Sequence, residues 1–133
     1  MRASARWVNN QQLDLLSESG HHVTADVSPS HEAGPSPMQL VLSALCGCTA
    51  VDVASILQKK REPFTGLTVS ATAEQAPEPP RVFTRISLTY KVAGKVAAKA
   101  MEDAVNLSKN KYCSISKMLE KSAAIEFEIE YAG

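Results

Sequence analysis

The chain is expected to fold as an α+β domain in which an antiparallel sheet packs around one long central helix. Three observations in its 133 residues lead there. One apolar stretch in the middle carries helix signals at both ends. Segments rich in Val, Thr, Ile, Phe and Tyr lie on either side of it, and the final residues alternate between apolar and acidic. A single domain over residues 1–133 is the expected organisation, because domains of about 100–150 residues are the common size.

The elements follow in order. Ala3–Val8 and Leu13–Leu16 read as short strands separated by the polar turn cluster Asn9-Asn10-Gln11-Gln12, and His21–Val27 reads as a third strand after Ser19-Gly20. A loop from Ser28 to Pro35 leads to Ser36-Pro37-Met38-Gln39. There Ser36 is placed to cap a helix, Pro37 to open it and Gln39 to close a capping box. The helix is expected to run to Lys59-Lys60-Arg61, whose charges suit the negative end of the macrodipole, and to stop before Pro63. Phe64–Glu74 and Arg81–Val92 then fit two antiparallel strands around the loop Ala76–Pro80. Lys95–Lys109 has helical periodicity, Lys111–Ser122 reads as a second short helix, and Ile125–Tyr131 as a half-buried terminal strand.

The composition excludes several functional classes. Fourteen basic residues balance fourteen acidic ones, so no global field attracts nucleic acid or an anionic membrane. An aromatic content of 5% argues against a base-stacking surface. The first ten residues lack the apolar run of a signal peptide, which makes the cytoplasm the expected location. Between Leu40 and Leu57, 13 of 18 residues are apolar, close to a membrane span. Asp52 inside that run, with Ser43, Thr49 and Ser55, favours a buried helix of a soluble protein.

That helix implies a partner. At about 25 residues it would be about 37 Å long, against a radius of gyration of about 14 Å for a compact chain of this size. It is apolar nearly all round, so it needs cover on every side. One small sheet does not supply that, and a homodimer pairing two such helices would.

Three cysteines cannot form a fully paired disulfide framework. Cys46 and Cys48 project about 200° apart on a helix, so they are badly placed to bond to each other or to share a metal. Cys113 lies at the start of the last short helix, where the helix terminus and Lys111 are expected to favour its thiolate. Asp52, one turn beyond Cys48, would oppose ionisation there, so Cys48 would need a basic residue from elsewhere. Free cysteine is also a common core residue, and all three thiols fit that reading too. His21, His22 and His31 show no metal-ligand spacing with them. Asp52 reads equally as a hydrogen-bonded structural carboxylate or a catalytic one.

Pro35-Ser36-Pro37-Met38-Gln39-Leu40-Val41-Leu42 followed by Cys46-Gly47-Cys48-Thr49-Ala50-Val51-Asp52-Val53 resembles the central helix of the OsmC/Ohr family, and Lys111-Tyr112-Cys113-Ser114 resembles its second cysteine motif. The element order matches over essentially the whole chain, and Asp52–Lys59 looks most like the YhfA-type branch. The resemblance implies an OsmC-like intertwined homodimer and thiol-dependent reduction of organic hydroperoxides, without a cofactor or metal. It places Cys48 as the peroxidatic cysteine and Cys113 as the resolving one. A dithiol such as a lipoylated or thioredoxin-like protein would restore both thiols. The chain departs from the family in two ways. Cys46-Gly47-Cys48 stands where Gly-Gly-Cys is frequent, and Met38 stands at the position of a glutamate that pairs with an activating arginine. Arg6 and Arg85 are candidates for that arginine by position alone. The alternative function is a non-enzymatic dimer that binds a hydrophobic ligand or senses oxidants with the same cysteines.

Overall fold

The computed structural model describes every residue, Met1–Gly133, and the chain divides into two compact units, Met1–Leu42 and Ser43–Gly133. Helix α1, Pro37–Lys59, starts in the first and continues through the second.

The first unit is an antiparallel sheet of β1 (Ala3–Asn9), β2 (Gln12–Ser17) and β3 (His22–Asp26), in that order. Its turns are the polar clusters expected from sequence. Asn10 and Gly20 supply the positive φ values, 29° and 88°, that tight turns require. After β3 the chain is held by Asp26, whose carboxylate accepts the amides of Ser28 at 2.8 Å and Ala33 at 3.0 Å. Hydrogen bonds from Ser28, through side chain and backbone, hold this carboxyl below its usual range, with Ala33 adding to them. The capping box also forms. The Gln39 amide donates to Ser36 Oγ at 3.1 Å, and the Ser36 amide donates to Gln39 Oε1 at 2.8 Å.

In the second unit, Leu45, Thr49, Val53 and Leu57 recur every four residues and form the buried stripe of α1. By length and composition α1 could cross a membrane, yet this stripe belongs to the core. The helix ends through Arg61, at φ 57°, with the Arg61 amide on the Gln58 carbonyl and the Glu62 amide on the Leu57 carbonyl. Pro63 follows, as expected.

Strands β4 (Phe64–Gln75) and β5 (Phe83–Gly94) pair antiparallel. The terminal strand β6, Ala124–Ala132, pairs with the other edge of β5 and runs parallel to it, from Arg85↔Ala124 to Ala93↔Ala132. The chain thus has two three-stranded sheets, the second of them mixed, where one antiparallel sheet was expected. The reason is topological: a parallel neighbour needs a long crossover, and the helices after β5 provide it. Strand β5 is central, so Ile86, Leu88, Tyr90 and Val92 are buried, facing a core completed by Met101, Ala104 and Val105 of α2 (Ala98–Leu107). The expected helix over 111–122 begins differently. Ser108–Tyr112 form a π-helical turn, closed by the Cys113 amide on the Ser108 carbonyl at 2.8 Å, and α3 spans only Ser114–Leu119.

Candidate active site

All three cysteines are free; Cys46 and Cys48 are half-buried, and Cys113 is fully buried. Helix α1 carries Cys48 in its middle, and the π turn delivers Cys113 to the N-cap of α3. The two thiols are neighbours, and the Cys48 side chain is among the lesser influences that raise the Cys113 pKa. Cys46 is not among those influences. Burial pushes its thiol pKa up, against a smaller opposing effect of its own backbone.

The expectation that Cys113 would be ionised at a helix start is corrected. Burial is the largest influence and raises its pKa. The Ser116 amide, which donates to Cys113 Sγ at 3.4 Å, acts the other way and loses. Two further reasons are visible. A helix of 6 residues has little dipole to offer, and Lys111 lies over the ring of Tyr112, 5.3 Å from its centroid.

The arginines considered from sequence are committed to ion pairs within their own sheets. Arg6 pairs with Asp14 at 3.6 Å, and Arg85 pairs with Glu126 and, at 3.7 Å, with Glu74. The histidines also have local partners. His21 bonds Ser19 at 2.8 Å, His22 bonds Asp14 at 3.0 Å and His31 bonds the Asp26 carbonyl at 2.7 Å. No three His, Cys, Asp or Glu side chains converge as a metal-binding group.

Asp52 turns out to be hydrogen-bonded: Ser108 Oγ donates to its Oδ2 at 2.9 Å. Ser108 Oγ is also 2.8 Å from Thr49 Oγ1, which is 2.7 Å from Tyr90 Oη. The sequence reading missed Thr49, Tyr90 and Ser108. Thr49 and Asp52, polar residues three apart inside an apolar helix, were a usable signal, whereas Ser108 and Tyr90 carried none. Beyond Asp52 lies a cleft of about 340 Å³ lined by Asp52, Ser55, Ile56, Lys59, Leu107 and Tyr112. Cys48, Asp52, Ser55 and Lys59 share one helical stripe, so the cleft lies on the same helix face as Cys48 and begins one turn beyond it. Its lining of Ile56 and Leu107 beside charged groups suits an amphipathic small molecule.

The α+β scaffold sets a half-buried cysteine of α1 near a buried cysteine at the cap of α3. The family model for OsmC-like protein matches residues 30–128, and the chain belongs to that family. It is 42% identical over 131 residues to protein YhfA of Escherichia coli K12, covering 98% of this chain and 97% of that protein. A hypothetical protein of Aquifex aeolicus VF5 shares the structure with TM-score 0.85 and 29% identity, over 99% of this chain and 97% of that one. The organic hydroperoxide resistance protein OhrB of Bacillus subtilis shares the fold, with TM-score 0.72 and 13% identity over 97% of this chain and 96% of OhrB.

Proposed function

We propose that this protein is a thiol-dependent peroxidase that reduces organic hydroperoxides, acting in the cytoplasm as a homodimer. The observation that supports it is that the fold sets the Cys48 and Cys113 thiols near each other, close enough for one to influence the other. Their environments support a division of roles. Cys113 is buried and kept protonated, while Cys48 is only half-buried, which leaves it the better placed of the two to meet a peroxide. The Cys48 thiolate attacks the O–O bond. One oxygen stays on sulfur as sulfenic acid, and the other leaves as alcohol after taking a proton. The thiol of Cys113 then condenses with the sulfenic acid, releasing water and leaving a Cys48–Cys113 disulfide. A dithiol reductant, such as a lipoylated or thioredoxin-like protein, returns both thiols and is itself oxidised.

The homodimer reading has its own support. On α1, Ala44, Gly47 and Val51 form an exposed stripe, with Val51 68% exposed. In the first unit every residue of β1 is exposed, Trp7 by 67%. Apolar surface of this kind is typical of an interface.

Intact mass before and after one equivalent of an organic hydroperoxide tests the chemistry. The expected result is a loss of about 2 Da per chain, the two hydrogens of a disulfide, mapped to Cys48–Cys113. Cys46→Ser should keep it and Cys48→Ser should abolish it. Thiols that remain free would eliminate the cycle. Repeated turnover with a dithiol separates a peroxidase from an oxidant sensor, which is oxidised only once.

A further inference from the structure

Tyr90, Thr49, Ser108 and Asp52 make one hydrogen-bonded chain across β5, α1 and the π turn, with distances of 2.7, 2.8 and 2.9 Å. Its direction is set by its charged end. A carboxylate only accepts, so the single hydroxyl proton of Ser108 goes to Asp52. Ser108 must then accept from Thr49, and Thr49 from Tyr90. Tyr90 is suited to be the terminal donor because burial holds it protonated, with its pKa pushed up to about 12. No buried polar side-chain atom is left unpaired.

Ser108 occupies the point where this chain touches the thiol pair. Through its backbone it holds Cys113, whose amide donates to the Ser108 carbonyl at 2.8 Å. Through its side chain it holds α1 at Thr49, next to Cys48, and at Asp52, one turn beyond. The intervening π turn, Ser108–Tyr112, is of a rare kind that occurs mostly as single turns, frequently at functional sites. The bond to Asp52 is charge-assisted, stronger than one between neutral groups.

We propose that Ser108 is a positioning residue for the Cys48–Cys113 pair, anchored by Asp52 and holding the segment of Cys113 against the helix turn of Cys48. The step it serves is disulfide closure: the Cys113 thiol and the Cys48 sulfenic acid join their sulfurs and release one water. This role rests on the peroxidase reading for its purpose, but the placement of the thiols is measurable without peroxide.

The test uses the full chain and its Ser108→Ala and Asp52→Asn variants. In a single turnover with tert-butyl hydroperoxide, sulfenic acid is trapped with dimedone at intervals and disulfide is counted by mass. Closure is timed from the sulfenic acid onward, so the first oxidation drops out. In parallel, equilibration with reduced and oxidised glutathione gives the effective concentration of the two thiols. Ser108→Ala should lower both quantities about 10- to 100-fold, the scale on which a misplacement of 1 Å acts. Asp52→Asn keeps an oxygen that accepts the Ser108 proton and should stay within about 3-fold of the parent, since only the charge assistance is lost. If Ser108→Ala does not fold, Thr49→Val breaks the same chain one link away and is expected to act in the same direction. A lower melting temperature with closure and effective concentration unchanged would overturn the proposal. If the parent forms no sulfenic acid, the peroxidase reading fails and the glutathione equilibrium alone decides the positioning role.

Discussion

The sulfur of Cys113 accepts a hydrogen bond from the Ser116 amide at 3.4 Å, and the side chain is nonetheless held as a thiol because burial outweighs that bond. Tyr90 is governed by the same competition, with burial raising its pKa from 10.0 to about 12 against the hydrogen bond to Thr49. Both shifts tie stability to pH in one direction. A group whose pKa rises on folding favours the folded state below its ordinary pKa, and that contribution is lost as the pH climbs through the raised value. Thermal melts across the alkaline range should therefore show stability falling above about pH 9 from Cys113 and, in the same direction, Cys46. Tyr90 should add to the fall between 10.0 and about 12. Cys113→Ser should make the first part shallower and Tyr90→Phe the second, and a slope untouched by either substitution would refute the assignment. At this scale the sequence was only partly legible. The roles proposed for Cys48 and Cys113 rest on motif resemblance, which the sequence does carry. The ionisation of Cys113 was misread, because a position at a helix start is visible in sequence and the depth of burial is not. The same limit hid Ser108, whose importance arises only when 56 residues of chain separation close on Asp52.

Among the elements, the start of α1 shows how local signals survive folding: Ser36, Pro37 and Gln39 do in three dimensions what their spacing indicates. Ser36→Ala removes the acceptor for the Gln39 amide and keeps the Ser36 amide bond to Gln39. The expected cost is about 1 kcal/mol, read from chemical denaturation. The loop before it is held by a different device. A Cβ on Gly34 would sit 2.0 Å from the Thr24 carbonyl oxygen, so Gly34→Ala must displace backbone rather than a side chain. Its cost is expected at about 1–3 kcal/mol, the range of an overpacked site, and a neutral result would show that the loop moves freely. Strand β6 marks where local reading stops. Its alternation of Ile125, Phe127 and Ile129 against glutamates identifies a half-buried strand. Nothing within those residues says whether it runs parallel or antiparallel to β5. That depends on the crossover through the helices after β5, which the residues of the strand do not encode. The π turn was also invisible, since its residues, Ser108–Tyr112, differ little from those of an ordinary helix end.

For the whole molecule, Gly47 bears on the question of partners. It lies mid-helix in α1, where glycine costs about 1 kcal/mol relative to alanine. Within the chain nothing lies within 4 Å of a Cβ built on it, so no intramolecular contact explains its small size. It sits instead on the exposed stripe with Ala44 and Val51. A helix crossing closely at that point in a second copy would supply the reason, because small residues let two backbones approach. This is the same demand for cover that the apolar α1 makes in the bare sequence, now located on one face. Sedimentation of the parent chain is expected to give a dimer, about twice 14.3 kDa. Gly47→Leu and Val51→Asp should shift it to monomer, each by filling or charging the stripe. Gly47→Ala discriminates further. If the chain is a monomer, alanine should raise the melting temperature through helix propensity alone. If two helices meet at Gly47, the added methyl should weaken the dimer and make the melting temperature fall with dilution. A monomeric parent stabilised by Gly47→Ala would end the homodimer reading while leaving the Cys48–Cys113 chemistry, which lies wholly within Ser43–Gly133, open to its own test.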